Sequence, residues 1–319
     1  MKRKPRLEPS PGQFGRRAFL RGTTLVLAGA TAAETIAAPR RAFADAEPER
    51  QCFAVVTDMH YADKPTHGSR HYRQSIEKLA RAADEFQKAK PDFVIELGDF
   101  IDAADSVQTE LRYLKRINRD FSLISPQRHY VLGNHCVDTL RKSEFLDEVQ
   151  QQRSFYSFDV AGTHFIVLDA CFKSDGTPYE RKNFKWTDSN VPPHELEWLR
   201  ADLDANAKPT IVFAHQRLDV AGNHGVKNAT EVRQALEQSG HVRAVFQGHS
   251  HQNDLHEIGG IHYCTFVAMV EGDGMNNNGY SLVSLSPNGT IEVDGFVRQT
   301  SYAWTPDTPT LNGKQIDAP

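Results

Sequence analysis

The sequence has few cysteines, no long apolar run and no internal repeat. Its four cysteines in 319 residues show no Cys-x-x-Cys spacing, which excludes a disulfide-based scaffold. Nothing in the sequence favours a disulfide between any particular two cysteines. We therefore expect free, buried thiols, although an exported protein can form a disulfide. No apolar run reaches the about 20 residues that a membrane-spanning helix needs. With 39% hydrophobic and 24% charged residues, the chain has the composition of a folded globular protein with one large domain or two small ones.

Negative charge outweighs positive charge outside the N-terminal segment. The first 44 residues carry nine Lys or Arg and two Asp or Glu, so the rest of the chain has a net charge of −11, whereas the whole chain has −4. An acidic body argues against binding of a nucleic acid or of an anionic membrane as the main function. A small substrate fits this charge better.

The N-terminal segment has the layout of a cleavable export signal. A basic cluster precedes the uncharged stretch 22–33, and the small-x-small site Ala42-Phe-Ala44 follows it. Arg16-Arg17, followed by Ala-Phe-Leu, resembles the twin-arginine export signal. We therefore expect a signal peptide at 1–44, a linker at 45–51, and export by the twin-arginine machinery to the periplasm or beyond, without stable membrane insertion. A disordered basic tail is the alternative.

Between residues 52 and 300, short apolar runs alternate with amphipathic stretches. Apolar residues at helical spacing predict four helices, at Tyr72 to Phe86, Leu111 to Ile117, Leu196 to Leu203 and Thr230 to Ser239. The strand-like runs are FAVV, FVIEL, HYVL, FIVLD, TIVF and AVFQ, and two hairpins are predicted to turn at Ala161-Gly162 and Asn288-Gly289. This alternation predicts a layered α/β or α+β domain over 52–300. Residues 301–319 are predicted to form a loose polar tail.

Five of these strands are followed by Asp, Asn or His. FAVV leads to Asp58 and His60, FVIEL to Asp99 and Asp102, HYVL to Asn134 and His135, TIVF to His215, and AVFQ to His249 and His251. In layered α/β folds, ligands collect at the carboxyl ends of strands. One polar residue after one strand is usually an ordinary loop residue, but five such strand ends indicate a common site.

The chemistry of this set indicates a metal centre. Carboxylate, amide and imidazole donors suit divalent Mn, Fe or Zn, whereas Ca²⁺ prefers oxygen ligands alone. The set is too large for one ion, but two ions about 3.5–4 Å apart that share one carboxylate would use it fully. Such a pair binds phosphoryl oxygens and activates a bridging water for attack on phosphorus.

The motif order DMH, GDFID, GNH, AH and GHSH resembles the calcineurin-like metallophosphoesterase superfamily over roughly residues 52–300. The resemblance implies an αββα sandwich, in which two mixed β-sheets lie face to face, helices cover the outside and the metals bind at the strand ends. The implied ligands are Asp58, His60 and His251 for one metal and Asn134, His215 and His249 for the other, with Asp99 as the bridge. It also implies that His135 acts as a catalytic acid over the substrate phosphate and that Asp102 orients a ligand by a hydrogen bond.

Several segments resemble the manganese-dependent ADP-ribose/CDP-alcohol diphosphatases within that superfamily, which favours Mn. They are HYADKPTHGSRHYRQS, FVIELGDFID, HFIVLDA and VKNATEVRQAL. Two departures stand out: residues 172–191 are short for a complete nucleotide pocket of that subgroup, and Cys136 stands beside the ligands where an acidic residue commonly follows GNH. We therefore expect the pKa of His135 to lie lower than in acid-bearing relatives, unless Asp138 or another carboxylate replaces the missing charge.

Substrate contacts are predicted in the loops beside the ligand motifs. The candidates are Tyr61, Arg70, Arg73, Asn223, His224 and Asn228, with ordinary surface polarity as the alternative for each. Asp63 and Asp169 are interpreted as structural. The loop GDGMNNNG at 272–279 is either a mobile rim of the site or a turn.

These features predict an exported hydrolase with two metals in which a metal-bridging hydroxide attacks a small phosphodiester or a pyrophosphate-linked substrate. A broad phosphomonoesterase of the alkaline-phosphatase type is the alternative, because the same two metals serve both reactions. A nuclease is disfavoured by the acidic body and the lack of a basic stripe. A non-catalytic metal-binding scaffold is disfavoured because every ligand motif is intact.

Overall fold

Two six-stranded β-sheets and five α-helices make up residues 50–305, the part of the chain that the computed structural model describes. The helices are α1 (Ser75–Ala89), α2 (Val107–Ser122), α3 (Lys142–Val149), α4 (Pro193–Asp204) and α5 (Ala229–Ser239). The strands are β1 (Gln51–Val56), β2 (Phe93–Glu96), β3 (Arg128–Tyr130), β4 (Tyr156–Val160), β5 (Thr163–Val167), β6 (Thr210–Phe213), β7 (Val242–Gln247), β8 (Asp254–Ile258), β9 (Ile261–Thr265), β10 (Gly279–Leu285), β11 (Ile291–Val297) and β12 (Tyr302–Trp304). The predicted signal peptide lies outside these residues.

Both sheets are mixed. The first has the strand order β12-β11-β10-β1-β2-β3, in which β1, β2 and β3 are parallel and the other pairs antiparallel. The second has the order β4-β5-β6-β7-β9-β8, in which β5, β6, β7 and β9 run parallel. This arrangement confirms the predicted sandwich of two mixed sheets flanked by helices.

The apolar runs are continuous because the central strands are buried on both faces. Alternation along β1 places Phe53 and Val55 in the core between the sheets, and Ala54 and Val56 in the core beneath α1, α2 and α3. Phe53 stacks on Phe93 of the parallel neighbour β2, with ring centroids 4.9 Å apart. A separate core lies between the second sheet and α4 and α5. The parallel strands therefore have fixed positions, and so do the loops at their carboxyl ends.

The helix and hairpin predictions are confirmed, with boundaries that follow local signals. Helix α1 ends where Lys90 adopts a left-handed conformation before Pro91, and α5 ends at Gly240. The hairpins β4–β5 and β10–β11 lie at the predicted positions. Helix α3 was missed because its eight residues bury only Phe145 and Val149, too few for a helical pattern in the sequence.

The C-terminal boundary of the domain needs a correction. Residues 302–304 form β12, which pairs with β11, so the prediction of a loose tail from residue 301 is wrong there. Trp304 is only 5% exposed, and its ring stacks on His262 at 4.8 Å between centroids. Burial of this indole within the core between the sheets holds the last strand in place. At the other end, β1 begins at Gln51, one residue inside the predicted linker.

The cysteine prediction is confirmed, since all four thiols are free, with three buried and Cys52 partly so. Within residues 50–305, no helix is both long and apolar enough to span a bilayer.

Candidate metal centre

The seven predicted metal ligands meet at one edge of the sandwich, at the carboxyl ends of five strands. Asp58 and His60 follow β1, Asp99 follows β2, Asn134 follows β3, His215 follows β6, and His249 and His251 follow β7. Six of them are at most 8% exposed, and the side chain of His251 is 15% exposed. The parallel strands bring together residues that lie up to 193 positions apart in the sequence.

Among the predicted ligands alone, potential ligand atoms form two compact groups of three residues. Asp58, His60 and His251 form one, and Asp99, His215 and His249 form the other. Oδ2 of Asp99 lies 3.1 Å from Nε2 of His215 in its own group and 3.5 Å from Nε2 of His60 in the other. Asp99 therefore lies between the groups, which is the position that a bridging ligand requires.

Backbone strain is concentrated at the ligands. Asp58, His60, Asp99, His249 and His251 all have φ between 44° and 69°, the left-handed region that non-glycine residues rarely adopt. Such conformations persist only where the surrounding structure enforces them, and they cluster at functional sites. Here the neighbouring backbone bonds enforce them: the amides of Asp58 and His60 donate to the carbonyls of Gly98 and Asp99, at 2.9 and 2.7 Å.

Glycines precede three of the ligands because a side chain there would collide with another ligand. A Cβ on Gly98 would lie 2.4 Å from Nδ1 of His215, and one on Gly133 would lie 2.2 Å from Oδ1 of Asp99. A Cβ on Gly248 would lie 2.5 Å from Oδ2 of Asp58. The glycines of GD, GNH and GHSH thus permit the close approach of the strand ends.

The donor set fits divalent cations. Oδ1 of Asp58 and Oδ1 of Asn134 are buried without a hydrogen-bond partner, although buried polar atoms are nearly always paired. Burial alone would raise the pKa of Asp99, but His215 and His135 outweigh burial and hold that pKa well below its ordinary value. Buried carboxylates that stay ionised beside imidazole nitrogens are what Mn, Fe or Zn would bind.

Hydrogen bonds on the far side of each imidazole orient three of the histidines. Nδ1 of His60 lies 2.9 Å from Oδ2 of Asp102, and Nδ1 of His215 lies 2.8 Å from the carbonyl of Leu97. Nδ1 of His251 lies 2.7 Å from Oε1 of Glu271. When Nδ1 carries the proton, Nε2 is free to bind a metal. Asp102 has the neighbour expected from the sequence, whereas Glu271 was missed because no motif marks it.

Charge and burial act differently on the two histidines of GHSH. Burial opposes protonation of His251, but Asp58 and Glu271 outweigh it and raise its pKa to about 9. Burial and the nearby His215 lower the pKa of His249 to about 3. Without a metal at neutral pH, these pKa values favour the protonated form of His251 and the neutral form of His249.

His135 lies beside the centre with its side chain 19% exposed. Its backbone amide donates to Oδ1 of Asp99 at 2.7 Å, and its ring centroid lies 4.6 Å from that of His60 and 5.6 Å from that of Phe184. Burial alone would lower the pKa of His135, but Asp99 and Asp102 outweigh it and raise that pKa. Another carboxylate, Asp102, thus replaces the acidic residue missing at position 136.

The predicted substrate contacts divide into two sets. Arg70 lies beside the centre, 3.4 Å from Oδ2 of Asp102, and the His224 ring lies 5.5 Å from that of His249. Asn223 is exposed in the same loop as His224. Trp186, which the sequence did not single out, is 41% exposed, and its ring lies 5.4 Å from His224 and 6.2 Å from His249.

The other three candidates all have partners within the protein, although the side chain of Arg73 is 57% exposed and its role as a substrate contact stays a prediction. Tyr61 is buried against Tyr113 in the core beneath α1, α2 and α3. Arg73 pairs with Asp63. The side chain of Asn228 binds the backbone of Val191.

The remaining predicted neighbours of the site are structural or inert. Asp169 is fully buried and pairs with Lys142 at 2.6 Å, and Asp63 pairs only at the surface. Burial and the nearby Glu96 raise the pKa of the Cys136 thiol well above its ordinary value. Cys136 therefore stays neutral and packs in the core beneath α1, α2 and α3.

Comparisons with known proteins agree with the fold and identify the family. A family model for the calcineurin-like phosphoesterases matches residues 53–253. The chain is 25% identical over 270 residues to a protein of Arabidopsis thaliana named manganese-dependent ADP-ribose/CDP-alcohol diphosphatase, covering 69% of this chain and 86% of that protein. A Xenopus laevis protein of the same name is 23% identical over 287 residues, covering 69% of this chain and 81% of that protein.

The fold also matches a solved structure. A crystal structure of a dimetal phosphatase from Danio rerio superimposes with a TM-score of 0.71 at 19% sequence identity, covering 80% of this chain and 98% of that one. At that identity the match supports the fold alone.

Proposed function

This chain belongs to the calcineurin-like phosphoesterase family and is a metal-dependent phosphoesterase; on that premise we propose that it binds two divalent ions and hydrolyses a small phosphodiester or a pyrophosphate-linked substrate. The observation that carries the proposal is the position of Asp99, whose Oδ2 lies within 3.5 Å of an imidazole nitrogen from each ligand group. Mn is the favoured metal, because the matched relatives are named as manganese-dependent.

Asp58, His60 and His251 would hold one ion, Asn134, His215 and His249 the other, and Asp99 both. When bound, divalent ions neutralise charge on phosphoryl oxygens and lower the pKa of water. His135, partly exposed beside these ligands, would give its proton to the oxygen that leaves phosphorus as the phosphorus–oxygen bond breaks. Arg70, 30% exposed in its side chain beside Asp102, would contact the phosphate.

The substrate class follows from the rim of the site. Trp186 and His224 present exposed rings beside His249, and planar groups stack on such surfaces. This rim favours a substrate whose phosphate carries a nucleoside or another planar group. The matched relatives are named for ADP-ribose and CDP-alcohols, which have this character.

The test is hydrolysis by the Mn²⁺-loaded protein of ADP-ribose, a CDP-alcohol, bis(p-nitrophenyl) phosphate and p-nitrophenyl phosphate, ranked by kcat/KM. We expect the diphosphates or the diester to rank above the monoester, and chelation to abolish all four activities. A higher kcat/KM for the monoester would favour the phosphomonoesterase instead. Metal binding without hydrolysis of any of them would favour the scaffold.

We further propose that the protein works outside the cytoplasm. This rests on the sequence of residues 1–44, with Arg16-Arg17 ahead of an uncharged stretch and a small-x-small site.

A further inference from the structure

Lys78 is a buried lysine on α1 whose ammonium group is surrounded by main-chain carbonyls. Its Nζ donates to the carbonyls of Met269, Glu271 and Gly272, each at 2.9 Å, and to that of Asn277 at 3.1 Å. The residue is 0% exposed. An ammonium has three N–H donors, so these four oxygens engage all of them. Buried lysines usually need a partner, and here the partner is one segment of backbone.

Burying this charge is costly, which indicates a specific role. Burial lowers the pKa of Lys78 to about 8, with Arg298 acting in the same direction and Glu271 and Asp273 opposing it. An apolar side chain would fill the same space without that cost. The positive charge is therefore explained by the carbonyls that it binds, not by packing.

The segment that Lys78 binds also contacts the metal centre. The amide of Val270 donates to the carbonyl of Asp58 at 3.1 Å. Oε1 of Glu271 lies 2.7 Å from Nδ1 of His251. Lys78 and two residues of the metal centre thus bind the same segment, residues 269–272.

We propose that Lys78 is a positioning residue of the metal centre. By binding four carbonyls it fixes residues 269–278 in the conformation that places Glu271 against His251, and Glu271 then orients the imidazole toward the metal. The inference deepens the proposed function and rests on it, since it concerns the same metal ligands. On this proposal, the loop at 272–279 is held by Lys78 through the carbonyls of Gly272 and Asn277 and is not a mobile rim.

A double-mutant cycle on Mn²⁺ affinity tests the proposal. Lys78→Met, Glu271→Gln and the double variant are compared with the full wild-type chain by titration with Mn²⁺ alone, without substrate. We expect each single change to weaken Mn²⁺ binding by about tenfold, as loss of a group that orients a ligand does. In the double variant we expect little further loss, because Lys78 acts through Glu271. If the loss of Mn²⁺ affinity in the double variant equals the product of the two single losses, the proposal is overturned. A purely structural lysine would act independently of Glu271 and give that result.

Lys88→Met is the matched control, because Lys88 lies on the same helix, is exposed, and pairs with Glu85. It should leave Mn²⁺ affinity unchanged. If Lys78→Met does not fold, Lys78→Gln keeps two N–H donors on a shorter side chain and should still weaken binding. A folded position-78 variant with wild-type affinity overturns this inference alone, whereas a wild-type protein that binds no Mn²⁺ overturns the proposed function with it.

Discussion

Nδ1 of His135 lies 3.5 Å from Oδ2 of Asp102. The imidazole therefore has a carboxylate beside it that comes from the loop after β2, and not from residue 136. The same oxygen accepts from Nδ1 of His60 at 2.9 Å. Asp102 therefore couples a metal ligand to the expected catalytic acid. Cys136, by contrast, is fully buried and neutral, so replacing the acidic residue with cysteine does not deprive His135 of a charged neighbour.

Replacing His135 with alanine should affect poor leaving groups most. A general acid contributes roughly 10²–10⁴-fold when the leaving oxygen must be protonated, so His135→Ala should lower kcat/KM by about that factor on alkyl esters. On p-nitrophenyl esters the loss should be within about tenfold, because that leaving group departs as an anion. Cys136→Ala is the control and should be mild on both. Equal losses for His135→Ala on the two ester classes would contradict the role of His135 as an acid.

Asp99→Asn should remove more metal than the loss of any terminal ligand. Asp99 lies between the two ligand groups, whereas His60 belongs to one of them. We expect Asp99→Asn to weaken binding of both ions by more than about 100-fold, beyond the usual cost of altering an orienting group, and His60→Ala to affect one ion. Metal analysis after dialysis measures this. Two ions per chain in Asp99→Asn, with a near-normal rate, would show that another residue is the bridge.

Trp186→Ala should discriminate against substrates with planar groups. Stacking on an aromatic side chain is worth about 1–3 kcal/mol per base, so kcat/KM for a nucleoside-linked diphosphate should fall by about tenfold. The kcat/KM for an alkyl p-nitrophenyl diester, whose planar leaving group also stacks, should fall less than that for a nucleotide. The kcat/KM for a dialkyl ester should not change. Trp198→Ala is a suitable control, because Trp198 lies on α4 and packs against Phe155. An equal loss on every substrate would place Trp186 in a structural role.

His129 should make the fold sensitive to acid. Burial lowers its pKa from 6.5 to about 4, and its ring stacks on Phe158 at 3.7 Å between centroids. Between those two pH values the unfolded state binds more protons than the folded state, so the free energy of unfolding falls as the pH drops from 6.5 to 4. The loss is at most about 3 kcal/mol for this residue.

His129→Phe keeps a ring on Phe158 and removes the titration. The metal-free variant should therefore lose less stability than wild type between pH 6.5 and 4, as measured by urea unfolding in the presence of a chelator. Parallel pH profiles for the two proteins would assign the acid sensitivity to other groups.

Changing Arg16-Arg17 to a lysine pair should retain the precursor in the cytoplasm. The twin-arginine route carries folded proteins, so the metals would be captured where folding occurs, before export. Cell fractionation with an antibody against the protein measures the distribution. Undiminished export of the lysine variant would exclude the twin-arginine route.

Within residues 50–305, the sequence by itself determined nine of the twelve strands, four of the five helices and the identity of the clustered polar residues, but not β8, β9 and β12. These are local properties: apolar alternation defines β1 and β2, and the ligand motifs follow directly where those strands end. Because parallel strands align their carboxyl ends, a list of strand ends was enough to predict that Asp58, Asp99 and His215 meet.

Only the tertiary structure decided which side chains support that cluster. Glu271 lies 20 residues beyond His251 and in no motif, and Lys78 has the spacing of an ordinary helix residue, so neither carries a local signal. Trp304 and Tyr61 show the same limit, since the sequence alone did not show that either aromatic side chain is buried in a core. Burial and hydrogen-bond partners depend on packing between segments distant in the chain, and packing is a property of the folded molecule.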